Sequence, residues 1–349
     1  MKKKDARINF LEALDELEKE KGIKKEELIE TIELALLAAY KKNYGDDSNV
    51  DISIDKNDGE IKIYKSRKVV ADEETYDNAV EIPLSEAKTY KKRAKVGDNI
   101  NIDIYCEEFR RNAVQNAKQI VIQKVRESER EHIYEIFKEK EFDILTGIIR
   151  RIDEKKNIFI EFNGIELILP PSEQSMSDVY RVGERIKVYL MLVERTNRFP
   201  KIMISRKHEG LLRRMLELEI PEVGNGMIQI KSIAREPGSR SKVAVYSEIK
   251  NIDIIGACIG QNQNRIKNIV YELSGEKIDI IIWSEDIKEF VTSSLSPAQV
   301  MSVSIDEDNT TASVIVDASQ LSLAIGKNGQ NARLAARLTG LKIDIGVNE

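Results

Sequence analysis

Thiols, imidazoles and long apolar runs are all scarce in this chain. Its 349 residues carry 2 cysteines, 2 histidines and 1 tryptophan. Cys106 and Cys258 stand far apart with no CxxC pair, and neither His132 nor His208 has a neighbouring thiol or second imidazole. Zinc-holding spacings are therefore excluded, no metal or cofactor is expected, and the cysteines read as reduced thiols of a cytoplasmic protein. No run of about 18 apolar residues occurs, so no membrane span is expected. The start, MKKKDARINFLEALDELEKE, is basic but broken by charges before an apolar stretch forms, unlike a secretory signal. An excess of positive charge is missing too. Lys+Arg number 55 against 60 Asp+Glu, a net charge of −5. From Lys207 onward 16 basic residues face 19 acidic ones, a balance of −3. An overall basic field that seeks polyanions is excluded, and affinity for nucleic acid has to come from local clusters.

What is present suits several small cores. The hydrophobic share is 41% and the charged share 33%, from which roughly two to four domains are expected. The first 45 residues read as two helices. In the second, Leu28, Ile32, Ala35, Leu36 and Ala39 recur at helical spacing, and Gly45, Asp46 and Asp47 close it. VDISID and EIKIYKS alternate around Asn57, Asp58 and Gly59, a hairpin signal, and VGDNINIDIY adds a turn and a strand. From Glu107 to about Lys140 the helical spacing returns. Phe109, Ala113, Ala117, Ile120, Val121 and Val125 line one side; Arg110, Arg111, Lys118, Lys124, Arg126 and Arg130 line the other. That charged face serves solvation or a partner.

Between Phe142 and Ser205 four or five short strands, punctuated by Gly147, Gly164, Pro170, Pro171 and Gly183, suit a small closed barrel of the oligonucleotide-binding type. A helical segment, GLLRRMLELEIPEVGNG, then leads into two strands around the loop Arg235 to Arg240. An internal repeat follows. GACIGQNQNRIKNIVYELSGEKIDI starts at Gly256 and LSLAIGKNGQNARLAARLTGLKIDI at Leu321, each an apolar lead-in, a Gly-rich turn, a helix ending in glycine (Gly275, Gly340) and a strand. Two copies imply two similar domains in tandem.

The second copy has the makings of a phosphate cradle. Gly326, Lys327, Asn328 and Gly329 stand before a helix read as Gln330 to Leu338. Glycine lets the backbone turn tightly and approach a ligand, while the helix aims unpaired N–H groups and its positive dipole end at the loop. Lys327 adds charge, and Arg333 and Arg337 share one helix face. This is the GXXG loop of a KH domain, which clamps about four nucleotides of a single strand. In the first copy, Gly260, Gln261, Asn262 and Gln263, glutamine replaces the second glycine, which restricts φ > 0 and crowds a phosphate. Arg265 and Lys267 supply charge there, and binding through flank and edges is expected. Two basic clusters complete the set: Lys201, Arg206, Lys207, Arg213 and Arg214, and Lys231, Arg235, Arg240 and Lys242. The second surrounds a Pro-Gly loop expected to keep its arginines exposed.

The segments NAKQIVIQKVRESERE, GLLRRMLELEIPEV, IKSIAREPGSRSKVAV, GEKIDIIIWSED and LSLAIGKNGQNARLAARLTG together resemble the NusA family of bacterial transcription termination/antitermination factors, across essentially the whole chain. The resemblance implies a multidomain α+β chain: an α/β N-terminal head that binds RNA polymerase (1–137), a five-stranded OB-type barrel of the S1 motif (138–203), and two tandem type II KH domains (204–281 and 282–349). By the same resemblance the head docks on the β flap near the RNA exit channel through the helix bearing Arg110, Arg111 and Lys118. Gly326 to Gly329 with Arg333 and Arg337 form the RNA grip of the second KH unit. Arg235, Arg240, Lys242, the loop from Gly260 through Gln261 and Asn262, Arg265 and Lys267 belong to the first. The partners implied are RNA polymerase, nascent single-stranded RNA and other Nus-type elongation factors, with the chain a non-enzymatic monomer that modulates pausing, termination and antitermination. Departures are Gln263, and FRRNAVQ where the family writes FGRIAAQ. The chain stops at Glu349, so the acidic repeats of some members are expected to be absent. Two alternatives stay open at this stage: an RNA-processing enzyme, though no carboxylate cluster of metal-like spacing is seen, and an mRNA-decay or translation adaptor without polymerase contact.

Overall fold

The computed structural model describes residues 14–15, 18–19, 24–44, 49–56, 59–72, 77–78, 80–104, 107–249, 252–308 and 310–347, without the side chains of 42–44 and 107–114. It divides into two compact units, residues 1–133 and 134–349. The expected first helix lies outside the described residues apart from the helical pairs Leu14–Asp15 and Glu18–Lys19, as do Gly45, Asp46, Asp47, Asn57, Asp58 and Cys106.

In the first unit, helix α1 (Lys25–Tyr44) opens with Glu26 and Glu27, which complement its dipole. Its stripe of Leu28, Ile32 and Leu36 is buried against strand residues Val50, Ile52, Ile61 and Ile63. The hairpin is β1 (Val50–Ile54) against β2 (Ile61–Val70), antiparallel with Ile52 opposite Ile63. Strand β3 (Glu81–Pro83) pairs parallel with β2 and leads into the short helix α2 (Leu84–Tyr90), both unseen in the sequence pattern. Strand β4 (Asn99–Asp103) pairs antiparallel with β2. Helix α3 (Glu107–Lys138) puts Ala117 and Val121 of its apolar side into the same core as Leu28 and Ile32.

The second unit begins with an antiparallel barrel of five strands: β5 (Ile144–Ile152), β6 (Ile158–Phe162), β7 (Ile165–Leu169), β8 (Arg185–Glu194) and β9 (Lys201–Ser205). Their order is β7-β6-β5-β8-β9, and β7 comes beside β9 to nearly close the barrel. Alternation explains the interior, where Ile158, Ile160, Leu167, Leu169, Val188 and Leu190 are buried. Gly147 sits where β5 meets β6 so tightly that a Cβ would lie 2.8 Å from the Glu161 carbonyl oxygen.

Two similar modules follow, the first α–α–β–β–α–α–β and the second α–β–β–α–α–β. The first comprises α4 (Glu209–Glu219), α5 (Pro221–Gly224), β10 (Gln229–Glu236), β11 (Arg240–Tyr246), α6 (Ile254–Ile259), α7 (Asn264–Glu272) and β12 (Lys277–Ile282). The second comprises α8 (Ile287–Ser294), β13 (Val300–Ile305), β14 (Thr311–Val316), α9 (Leu321–Ile325), α10 (Gln330–Thr339) and β15 (Lys342–Val347). Each has a three-stranded sheet with an antiparallel hairpin and a parallel third strand, and the repeated KIDI segments fill the same place, Lys277 opposite Arg240 and Lys342 opposite Thr311. The acids after Ile305 make a hairpin connection: Asp306 accepts from the amides of Thr310 and Thr311 at 2.7 and 2.9 Å.

The modules are packed as one body. Leu334 and Leu338 of α10 share a core with Ala234, Ala244 and Ile281 of the first sheet and Phe290 of α8, with Trp283 against it. Burying each leucine stabilises by about 1.5–3 kcal/mol. The second module therefore covers the first module's sheet, and the position of its loop is set by that packing.

Candidate nucleic-acid interface

The two loops have one backbone. Gly260 and Gly326 both stand at φ 75, ψ 172; Asn262 and Asn328 are at φ 54 and 53; Gln263 and Gly329 are at φ 63 and 74, both left-handed. Glutamine thus holds the left-handed backbone at the position written for glycine, and the loop forms with it in place. The reason is that its ψ of 22 falls in the left-handed helical well, which an L residue enters at a cost of roughly 1–2 kcal/mol. The first glycine is different: a Cβ at Gly326 would lie 2.8 Å from the backbone N and the Cβ of Asn331.

Side-chain capping varies along the modules. Helices α4, α6 and α8 carry side-chain N-caps: His208 accepts from Gly210, Asp253 from Gly256 and Asp286 from Lys288. Helices α7 and α10, which follow the loops, have no side-chain cap, and neither do the short helices α5 and α9. The amides of Gly326, Gly329 and Gln330 donate to the Ser322, Gly326 and Lys327 carbonyls, and those of Gly260, Gln263 and Asn264 to the Gly256, Gly260 and Gln261 carbonyls. The positive dipole end of each following helix still favours an anion there.

The cations sort into free and engaged. Lys327 and Arg337 are exposed and form no ion pair among the described residues. Arg333 is exposed, but its Nε donates to Glu236 of the first module at 2.6 Å and its Nη1 to the Asn328 carbonyl at 3.1 Å. The Arg333 hydrogen bond holds the Glu236 carboxyl below the usual range. In the first loop Arg265 bonds Glu222 and the Ala257 carbonyl, while exposed Lys267 donates to the Asn262 carbonyl at 3.0 Å. Gln261 and Asn262 are exposed.

The expected exposure of the hairpin cluster is overturned. Arg235 is buried, its guanidinium paired with the fully buried Glu276 at 2.9 Å and donating to the His208 carbonyl. Lys242 is fully buried, donating to the Ser296 carbonyl at 2.8 Å and lying 3.5 Å from Asp279. Burial depresses the lysine's pKa. Arg240 is half-buried in a two-bond pair with Asp279, at 2.7 and 2.9 Å. Each acid reaches the cluster from β12 or the residue before it, about 40 positions away in sequence, which no local charge count registers. Arg235 and Lys242 therefore present no charge to a phosphate. Arg206 of the other cluster is buried as well, against Asp178.

The sequence also passed over residues that hold the second loop. Asn331 is buried and donates from Nδ2 to the Leu295 and Ala324 carbonyls at 2.9 and 3.1 Å. Gln330 bonds Glu236 and Ser239 of the first module at 2.8 and 2.7 Å. Their signal was position alone: both belong to the segment NGQNARLA. Of the polymerase-facing candidates, Lys118 is exposed on α3, while the side chains of Arg110 and Arg111 lie outside the described residues. Among the described residues no group of acids, histidines and cysteines could hold a metal ion, and no helix is long and apolar enough to cross a membrane.

An OB-type barrel joined to two KH-like modules, each with a glycine-led turn before a helix, defines a class, the modular single-strand RNA-binding proteins. Family models agree with it segment by segment. The NusA N-terminal domain matches residues 9–131, the S1 RNA binding domain 138–205, the NusA-like first KH domain 206–283 and the NusA-like second KH domain 287–349. The chain is similar to the transcription termination/antitermination proteins NusA of Halalkalibacterium halodurans, at 48% identity over 96% of this chain and 87% of the relative, and of Bacillus subtilis, at 47% over 96% and 90%. NusA of Thermus thermophilus is 45% identical over 96% of this chain and 88% of its own length. The chain belongs to the NusA family.

Proposed function

We propose that this chain is a non-enzymatic transcription elongation factor that binds RNA polymerase with its N-terminal unit and nascent RNA with its barrel and KH modules. It modulates pausing, termination and antitermination, as a cytoplasmic monomer working with other Nus-type factors. The observation that carries the RNA-binding part is the second loop: Gly326 to Gly329 in the glycine-dependent conformation, with no side-chain cap on α10 and with Lys327 and Arg337 in no ion pair among the described residues. Loop amides and these two cations hold phosphates and read little sequence. The first loop adds a second grip through its amides and Lys267. Arg333 acts behind the loop, joining Glu236 to the Asn328 carbonyl.

The polymerase part rests on family membership and on the head that matches the NusA N-terminal domain. The charged side of α3, with Arg110, Arg111 and Lys118, faces the β flap near the RNA exit channel in this reading. Docking there raises the local concentration of RNA, which a chain of net charge −5 cannot gather by its own field.

A paused-transcription assay tests the whole reading. The unaltered chain should lengthen pausing. A Gly326→Asp, Gly329→Asp variant should still be retained by core polymerase in a pull-down yet lose most of that effect, because carboxylates repel phosphate where amides held it. Failure of the unaltered chain to bind core polymerase would remove the transcription assignment.

A further inference from the structure

Between the barrel and the first KH module lies a cleft of about 860 Å³, inside the range of roughly 300–1,000 Å³ common to ligand sites. Its walls come from β5, the segment before β8, α7 and the start of β12. A buried clamp fixes the two walls together. Arg206 donates to both carboxylate oxygens of Asp178 at 2.7 and 2.9 Å, and to the carbonyls of Lys187 in the barrel and Glu272 in α7 at 2.8 and 2.9 Å. Ser274, just after α7, donates to Asp178 at 2.8 Å. The cleft is thus preformed, and its shape does not wait on a ligand.

The chemistry of its lining is uneven. Every acid is already engaged: Asp178 by Arg206, Glu184 by Arg181 at 3.3 Å, and Glu272 by Lys187 at 3.6 Å. Three cations, Arg185, Lys267 and Lys277, are exposed and have no carboxylate partner among the described residues. Beside them stand two side chains that water does not favour. Tyr271 is 87% exposed and Val179 is 69% exposed. An exposed ring beside unpaired cations is the arrangement that holds single strands, since bases stack on aromatics while Lys and Arg take the phosphates.

The cleft also borders the first loop and shares one lining residue with a cavity at the second. Gln263, the last residue of the first loop, lies on its rim. Lys277 lines both this cleft and a second cavity, of about 350 Å³, that contains Gly326 and Lys327 of the second loop. A strand leaving the second loop therefore meets Lys277 next, and then the cleft.

We propose that this cleft is a nucleotide site for single-stranded RNA, holding one unpaired base on Tyr271 and its flanking phosphates on Arg185, Lys267 and Lys277. The proposal rests on the reading of the KH loops as RNA grips. It gives the barrel a share in binding through the wall that bears Arg185 and Val179.

Fluorescence anisotropy with the full chain and two labelled RNAs tests it. One RNA is about four nucleotides long, the reach of one KH loop, and the other about twelve. Tyr271→Ala should weaken the longer RNA about tenfold and leave the shorter unchanged, and Tyr271→Phe should restore the loss, because stacking needs only the ring. Arg185→Ala should flatten the slope of log affinity against log salt by about 0.7 for the longer RNA. Tyr271 is too exposed for its replacement to unfold the chain. If Tyr271→Ala bound the longer RNA like the unaltered chain, while Gly326→Asp had lost it, the cleft would be no RNA site and the loops would remain one. Equal weakening of both RNAs would overturn the cleft as well. An unaltered chain that bound neither RNA would overturn both readings.

Discussion

Replacing Gly326 with alanine isolates the backbone geometry of the second loop. At φ 75, ψ 172 this residue lies in a region held almost exclusively by glycine. An added Cβ would sit 2.8 Å from the backbone N of Asn331, an atom of α10 that no side-chain rotation can move aside. Backbone strain contributes about 1–3 kcal/mol. Shifting α10 to relieve it loosens the buried Asn331 bonds to Leu295 and Ala324, each worth about 1 kcal/mol. The expected destabilisation is roughly 2–4 kcal/mol. Gly329→Ala makes the contrast. It needs only the left-handed well that Gln263 already occupies in the first loop, and its Cβ would meet nothing closer than the Arg333 Nη1 at 3.8 Å. About 1–2 kcal/mol is expected there. The chain's one tryptophan, Trp283, packs beside Phe290 and Leu334 at the seam between modules, so its fluorescence during urea unfolding reads this part of the protein. The midpoint for Gly326→Ala should fall well below that for Gly329→Ala. Equal midpoints, or an unaltered one for Gly326→Ala, would refute the steric argument.

Three further outcomes follow from the same structure. Arg235→Ala should destabilise the first KH module by about 3–5 kcal/mol, seen in a urea titration, because Glu276 would be left charged and buried without its partner; a surface-like effect of a few tenths would contradict the buried pair. Gln263→Gly should stabilise the chain by up to about 1 kcal/mol in the same titration, since a left-handed glutamine is relieved, and a loss of stability would show that the glutamine side chain holds the loop. Asp178 bears on pH. Burial alone would raise its carboxyl, but the Arg206 hydrogen bond and charge outweigh it and keep the carboxyl below the ordinary 3.8. A depressed folded value means that the stabilisation is present above that ordinary value and lost as pH falls below it. Thermal unfolding of the unaltered chain should therefore weaken through that acid range, and an Asp178→Asn variant, already destabilised, should show a shallower dependence; parallel curves would contradict the linkage.

The fold was largely legible because its signals are local. The turn-helix-strand unit at Leu321 carries its glycine, helix and KIDI strand within 25 residues, and its copy at Gly256 supplied the check. The barrel strands were marked by alternation and by glycines and prolines between them. The site was legible in its backbone and much less so in its charges. Arg235 and Glu276 are 41 positions apart, and Glu236 and Arg333 are 97 apart. A charge count along the chain treats Arg235, Lys242 and Arg333 as free, whereas parallel pairing of β12 beside β11 and the docking of α10 on the first sheet bring acids to each. Helix α2 and strand β3 escaped for the opposite reason: at 7 and 3 residues they are too short to show a period. Tyr271 had no local signal at all, because its surroundings are completed by the barrel, which comes earlier in the chain.

The central claim is that the glycine-dependent loop of the second KH module grips RNA phosphate. Equilibrium binding of labelled single-stranded RNA to the full chain and to the Gly326→Asp, Gly329→Asp variant, at one fixed salt concentration, tests it most directly. The unaltered chain should bind, and the variant should bind at least about tenfold more weakly while its retention on core polymerase is unchanged, since each lost charge-assisted bond is worth about 1.5–3 kcal/mol. Undiminished RNA affinity in a variant that still folds would contradict the claim.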